Sequence, residues 1–396
     1  MSSIDDHPHS DFRSAPTAAS PAPMPPPSLP EGVRLRAAVE SDLPVILDFI
    51  QQLAAYEGLE AMCVVTADDL RGTLFPEPLS TGPIYAEAVL AEEKRGAEGE
   101  ESWAAVGFAV FNHNYSTFLG RPGLWLEDLY VHPSQRGRGL GKALLQHLAQ
   151  VALERGCGRM EWWVVSWNDS ARRFYESLQA RAMSEWVVYR LAGETLDNMA
   201  RFGGPPEGQS TPGPEEGALR LPEGVRLRDA TVEDVPVILR FIEELADYER
   251  LRHECVATEE HLHRTLFGDR AYAHVVLAER EEADHQEDGD WRPVGFALYF
   301  HSYSAYLGRP GLWLEDVYVP KSERGQGLGK ALLQRLAQIA VERRCGRMEW
   351  WVLDWNEPSI RFYESLEAEA MKDLVVYRLT GPTLEDMARY GGEPQS

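Results

Sequence analysis

The pentapeptide Gly-Val-Arg-Leu-Arg that begins at Gly32 begins again at Gly224, an offset of 192 residues. The recurrence continues through Leu-Ala-x-Tyr-Glu at Leu53 and Leu245, Gly-Arg-Pro-Gly-Leu-Trp-Leu-Glu-Asp at Gly120 and Gly308, and Arg-Phe-Tyr-Glu-Ser-Leu at Arg173 and Arg361. A chain that repeats itself this way folds as two copies of one architecture. The later offsets are 188, so the first copy carries four extra residues, expected between Pro76 and Trp103, where a surface-loop insertion costs little. Residues 1–31, rich in Pro, Ala and Ser, read as a disordered tail, and 203–223 as a linker. The copies then span 32–202 and 224–391.

Each copy interleaves helical and strand periodicities. Val45, Ile46, Phe49, Ile50 and Leu53 recur at helical spacing, with Asp42, and Asp234 in the second copy, as candidate caps. Strand-like runs cover 85–91, 105–112 and 124–131. A helix is predicted over about 141–155, a strand over 159–166, a short helix over 171–178, and a last strand over 186–191. The fold class is α+β, with a mixed, mainly antiparallel twisted sheet and flanking helices in each copy.

Composition narrows the partners. The formal net charge of −24 repels nucleic acid and anionic lipid and attracts cations, so no nucleic-acid partner is expected. No run approaches the roughly 18 apolar residues of a membrane helix, and the opening segment lacks the apolar centre of a secretory signal. No membrane partner and a cytoplasmic location are therefore expected. Cys63, Cys157, Cys255 and Cys345 stand apart from one another and from histidine at ligand spacing, so they read as reduced thiols, with no metal site.

The motif richest in chemistry is Leu126-Glu127-Asp128-Leu129-Tyr130-Val131-His132-Pro133-Ser134-Gln135-Arg136-Gly137-Arg138-Gly139-Leu140-Gly141-Lys142-Ala143, repeated over 314–331. A strand, a glycine-rich turn and a helix in that order aim backbone N–H groups and the helix dipole at one anion, for which pyrophosphate is the natural candidate. A dinucleotide fingerprint starting at Gly137 would need glycine at Lys142. A nucleotide P-loop would need glycine at Arg136 and a hydroxyl at Ala143.

These blocks resemble the GNAT acetyltransferase superfamily, whose acetyl-CoA motif Arg/Gln-x-x-Gly-x-Gly/Ala is matched at 136–141 and 324–329. Tyr-Glu at the end of the first helix, Trp-Leu-Glu-Asp before the turn, and Trp-Asn-Glu-Pro-Ser-Ile-Arg-Phe-Tyr after the next strand are similar to diamine (spermidine/spermine) N-acetyltransferases and their thialysine-acetylating relatives. Ser116 and Ser304, where the polyamine enzymes carry aspartate, lean toward the thialysine branch.

The resemblance implies acetyl-CoA as acetyl donor and direct, ternary-complex transfer to a primary amine of a small cationic substrate. An unperturbed alkylammonium is almost wholly protonated at neutral pH, so a base is needed. Glu127 and Glu315, beside Asp128 and Asp316, are placed for it, and alternation along the strand predicts that one member of each pair faces the cleft. The family favours the glutamates as base and makes Tyr175 and Tyr363 the acid that assists the leaving thiolate. It implies cofactor contacts from Leu129, Val131, Arg136, Gly137, Arg138, Gly139, Gly141, Lys142 and Asn168. The second-copy equivalents are Val317, Val319, Arg324, Gly325, Gln326, Gly327, Gly329, Lys330, Asn356 and Ser359. Substrate contacts are implied for Tyr56, Glu57 and Asp128, and for Tyr248, Glu249 and Asp316. Asn168 and Asn356 read equally well as helix caps. With Ala171 where copy 2 has Ser359, a cofactor-side hydroxyl is expected to be missing from copy 1. Because the resembling enzymes are homodimers with shared clefts, the halves are expected to pair as a pseudo-dimer within the chain, or the chain to form a homodimer. A protein or peptide N-acetyltransferase and a non-catalytic acyl-CoA-binding regulator are the alternatives.

Overall fold

The computed structural model of the chain describes residues 27, 29–76, 84–96, 102–204, 218, 219, 221–282 and 291–389. Most of the expected tail and linker, and much of the stretch expected to hold the four-residue insertion, lie outside the described residues.

The first repeat runs β1 (Val33–Ala37), α1 (Leu43–Glu57), α2 (Ala67–Leu74), β2 (Glu87–Arg95), β3 (Ser102–Ser116), β4 (Arg121–Val131), α3 (Leu140–Glu154), β5 (Arg159–Val165), α4 (Asp169–Ser177), β6 (Arg181–Ala182), β7 (Trp186–Ala192) and α5 (Glu194–Phe202). The second follows the same order: β8 (Val225–Asp229), α6 (Val235–Tyr248), α7 (Glu259–Leu266), β9 (His274–Glu281), β10 (Trp291–Ser304), β11 (Arg309–Tyr318), α8 (Leu328–Glu342), β12 (Arg347–Leu353), α9 (Glu357–Glu364), β13 (Glu369–Ala370), β14 (Leu374–Thr380) and α10 (Gly381–Arg389).

Helix α1 buries Ile46, Phe49, Ile50 and Leu53 of the stripe read from the sequence, adds Leu43 and leaves Val45 half-buried, and stops at Gly58 in the left-handed conformation. Its expected cap is corrected. The Asp42 carboxylate turns back to accept from the Val39 N–H (2.8 Å) and from Arg36, and Asp234 does the same with Thr231 and Arg228. An arginine within reach outcompetes the helix N–H groups for a carboxylate.

The two seven-stranded sheets run β1-β2-β3-β4-β5-β14-β6 and β13-β7-β12-β11-β10-β9-β8. Each repeat therefore gives its last long strand to the other sheet. β14 lies antiparallel to β5 (Val376 opposite Trp163), and β7 lies antiparallel to β12 (Val188 opposite Trp351). The exchange extends into the helices, since Gln150 Nε2 on α3 donates to the Ala388 carbonyl of α10 and Gln338 Nε2 on α8 donates to Ala200 of α5. The β3–β4 and β10–β11 hairpins also lodge in the opposite repeat. Tyr115 hydrogen-bonds Thr265 (2.7 Å), and Tyr303 hydrogen-bonds Thr73 (2.8 Å). At the hairpin tips Gly120 and Gly308 have φ of +59° and +62°, and an added Cβ would lie 2.7 Å from His261 and 2.6 Å from Asp69. Only glycine permits both that backbone and that approach.

Among the described residues the core consists of four apolar clusters sandwiched between sheets and helices, and each mixes residues of both repeats. Tyr115 and Trp125 join Phe241, Ile242 and Phe296, while Tyr303 and Ala305 join Phe49, Ile50 and Phe108. The halves thus share cores as well as strands.

Candidate active site

The site begins with a misfit between strands. Between Val110/Asp128 and Phe111/Leu126 the β3–β4 register slips, leaving Glu127 as the extra residue of a bulge, and β10–β11 repeats this at Glu315. Strand β4 pairs in parallel with β5 only at Leu124/Met160 and Trp125/Glu161, after which the two diverge. A cavity of about 720 Å³ opens between them, lined by Glu127, Asp128, Leu129 and Val131 on one side and by residues 162–165 on the other. Both members of the Glu-Asp pair line it, a correction to the expected alternation, because the bulge interrupts the pleat that would have sent them to opposite faces.

Beyond Val131 the turn supplies donors. Gly137 and Gly139 have φ of +77° and +84°, with open space where a Cβ would stand. The first described helical bond in this stretch is Ala143 N–H to Gly139 O, leaving the N–H groups of residues 137–141 without a backbone acceptor among the described residues. Gly137, Gly139, Gly141 and Lys142 line the cavity. The second turn matches, with Gly325 and Gly327 at +76° and +88°, Ala331 N–H bonded to Gly327 O, and Gly329 and Lys330 in the first turn of α8.

The arginines have local work. Arg136 Nε donates to Val131 O (3.0 Å) and Arg324 Nε to Val319 O (2.8 Å), clamping each turn onto its strand. Their guanidinium groups lie 5.0 Å over Tyr56 and 4.8 Å over Tyr248. These tyrosine faces therefore already hold a cation. Arg138 pairs with Glu93 (2.5 Å), and Gln326 accepts from Arg280 (2.7 Å).

Three carboxylates meet at the bulge. Glu127 accepts from Trp125 Nε1 (3.1 Å) and faces Arg347 of the second repeat at 3.5 Å. Burial raises its pKa and Arg347 opposes the rise. Asp128 is buried with Oδ2 unpartnered, and burial, Glu127 and Glu57 together hold its pKa well above the carboxylate range. Glu57 receives the Tyr306 hydroxyl at 2.5 Å; the surrounding protein raises its pKa and that bond lowers it. The second centre mirrors the first, with Glu315 bonded to Arg159 of the first repeat (3.0 Å) and Asp316 buried with Oδ2 unpartnered. Glu249 is pushed up to about 7 by burial and then by Glu315.

Tyr175 lines the cavity with its ring 4.9 Å from Trp162, and its hydroxyl has no hydrogen-bond partner among the described residues. Tyr363 packs identically on Trp350, 4.9 Å away. Burial raises both phenols, so they keep their protons at neutral pH. Asn168 and Asn356 cap α4 and α9, accepting from Ala171 N–H (3.1 Å) and Ser359 N–H (3.4 Å), and Asn356 also accepts from the Tyr248 hydroxyl (3.2 Å). Asn168 lines the cavity, and so does Ser170. Copy 1 thus has a serine on the cavity wall one residue before Ala171. Half-buried Val317 and Val319 hold the strand positions of Leu129 and Val131.

Sequence reasoning missed Tyr306, Arg347 and Arg159, which reach each centre from the opposite repeat. Their only sequence signal was the expected pairing of the halves.

The family model of the GNAT acetyltransferases matches residues 68–179 and again 239–367, more than half the chain. The chain belongs to the acetyltransferase (GNAT) family. A thialysine N-epsilon-acetyltransferase of Mus musculus is 33% identical over 41% of this chain and 96% of its own length. An L-ornithine N5-acetyltransferase of Arabidopsis thaliana is 33% identical over 40% of the chain and 86% of its own. A spermidine/spermine N(1)-acetyltransferase-like protein of Homo sapiens is 36% identical over 41% and 24%. This GNAT chain is an acyltransferase with two tandem family domains. Among its described residues no helix is long and apolar enough to cross a membrane.

Proposed function

We propose that this GNAT protein moves an acetyl group from acetyl-CoA to a primary amine of a small cationic substrate, of the diamine, polyamine or thialysine class, at two centres per chain. The observation that carries this reading is the meeting of three carboxylates with Arg347 at the bulge, beside a turn whose backbone N–H groups at 137–141 have no backbone acceptor among the described residues.

The residues fit the cofactor. The N–H groups of 137–141 suit a diphosphate, and glycine leaves the approach open where any Cβ would narrow it. Acetyl-CoA supplies the acetyl group as a thioester. Arg347 offsets the charge of Glu127, which leaves Glu57 to attract an ammonium group beside Asp128, whose carboxyl is held toward its protonated form. Asp128 Oδ2 offers it a free acceptor. The ammonium proton passes to Glu127, directly or through water, and burial tunes that carboxylate toward neutrality, where a base works best. The protonated Tyr175 hydroxyl then donates to the departing sulfur. Glu315, Asp316, Tyr363 and the turn at Gly325–Gly329 take these parts in the second centre.

Direct transfer is supported by the thiols. None of the four cysteines lines the cavity, and burial pushes Cys157 and Cys345 up to about 12, far from thiolate formation. The acidic balance of the chain favours a cationic substrate over nucleic acid, and a cytoplasmic location is part of the same reading.

The test is an amine panel with acetyl-CoA, including polyamines, thialysine and basic peptides, on wild type, Tyr175→Phe, Tyr363→Phe and the double variant. Acetylation of small amines with severe loss only in the double variant supports the reading. Undiminished turnover in the double variant removes the tyrosines as acid, and transfer to peptides alone replaces the substrate class.

A further inference from the structure

One pair of residues that differs between the two centres comes, in each, from the opposite repeat. The tip of the β10–β11 hairpin brings Ala305 and Tyr306 to the first centre, and the β3–β4 tip brings Thr117 and Phe118 to the second. The backbone placement is the same in both. Tyr306 O accepts from Val64 N–H (2.9 Å) and Val65 N–H (3.0 Å), and Phe118 O accepts from Val256 N–H (2.8 Å) and Ala257 N–H (2.9 Å). The side chains move the one hydroxyl donor. In the first centre it is the Tyr306 phenol, 2.5 Å from Glu57, while Ala305 has nothing to offer Asp128. In the second it is the Thr117 hydroxyl, which supports Asp316, while Phe118 has nothing to offer Glu249.

We propose that the two centres are not equivalent, and that these hairpin-tip dipeptides give them different amine preferences by choosing which carboxylate receives a hydroxyl. This inference rests on the amine-transfer reading of both centres. A short hydrogen bond to a carboxylate in enclosed surroundings favours its charged form. Glu57 shares the cavity with Asp128, Glu127, Tyr175, Arg136 and Arg347; burial raises it and the Tyr306 bond works against that rise, so it holds its charge to lower pH than Glu249 does. It can hold the far ammonium of a diamine there. Glu249 faces Glu315, Asp316, Tyr248 and Tyr363, with no hydroxyl donor from the hairpin, and is pushed up to about 7. It gains full charge only as pH rises through neutrality. The first centre thus serves doubly charged amines over the wider pH range, and the second joins it toward alkaline pH.

The sequence offers the exchange experiment. The kcat/KM for a diamine is followed from about pH 5.5 to about pH 9, a range that spans raised carboxylates, in wild type, Tyr306→Phe, Phe118→Tyr and the double variant. The substrate's own titration is common to all four. Wild type should show two rises. Tyr306→Phe should move the lower rise up by about one pH unit, the size expected for a lost hydrogen bond to a charged group. Phe118→Tyr should move the upper rise down, and the double variant should restore two rises. An active Tyr306→Phe protein with the wild-type profile overturns the proposal, even if Phe118→Tyr folds poorly. A wild type that acetylates no amine overturns the transfer reading and this inference with it.

Discussion

At the scale of single residues, the buried aspartates set stability against activity. Asp128 has a folded-state pKa well above the ordinary value, so the native state binds its proton more tightly than the unfolded chain does. Stability from this group is greatest below the unfolded pKa and falls as pH rises toward the folded one. Asp128→Asn should therefore raise the thermal midpoint at pH 8 by more than at pH 5, with a gain of about 1 kcal/mol or more. It should also cut first-centre turnover at least about 100-fold, measured with Tyr363→Phe in the background. Arg347 acts in the other direction, because it bonds Glu127, Glu349 and the Tyr303 carbonyl from a buried position. Arg347→Met should cost about 3–5 kcal/mol and move the pH–rate limb of the first centre upward, since Glu127 loses its counter-charge. A limb that stays in place would show that Arg347 serves packing alone. The Glu-Asp pairs and the tyrosines were singled out in the sequence through the family resemblance, and the first repeat's Glu127, Asp128 and Tyr175 do line one cavity. The Arg347–Glu127 pairing was not legible there, because 220 residues separate its partners.

Among the elements, the turns before α3 and α8 rest on glycines in the left-handed region. Gly139 sits at φ +84°, where a β-branched side chain is strongly disfavoured. Calorimetry with acetyl-CoA should find two sites in wild type and one in Gly139→Val or Gly327→Val, while near-native melting shows that the fold survives. Two sites in either variant would disconnect the turn from the cofactor. The long strands and helices α1, α3 and α4 followed from periodicity, and Gly137 and Gly139 marked the turn by their spacing, while β1, α2 and α5 were not predicted. The bulge escaped notice because a one-residue slip leaves no compositional trace. It depends on how β3 meets β4, which is a long-range property.

Across the whole molecule, β7 and β14 are each held on both sides by strands of the other repeat. Breaking the connection between the halves should not part them. A chain with an engineered protease site between residues 205 and 217 should, once cut, elute natively as one particle and separate only in denaturant. It should also melt in a single transition, because the shared cores leave neither half a complete interior. Two transitions, or separation on cleavage, would contradict the exchange. The sequence announced the duplication and hence the pairing. It was silent on the swapped strand, because Trp186–Ala192 and Leu374–Thr380 have the same pattern and either would fit either gap.

Joining both halves in one polypeptide frees the hairpin tips to evolve apart. In a symmetric homodimer one codon would dictate the residue delivered to both centres, so any gain in one would be copied into the other. Here position 306 and position 118 are separately inherited, and the covalent link ensures that the unlike partners always meet in a one-to-one ratio.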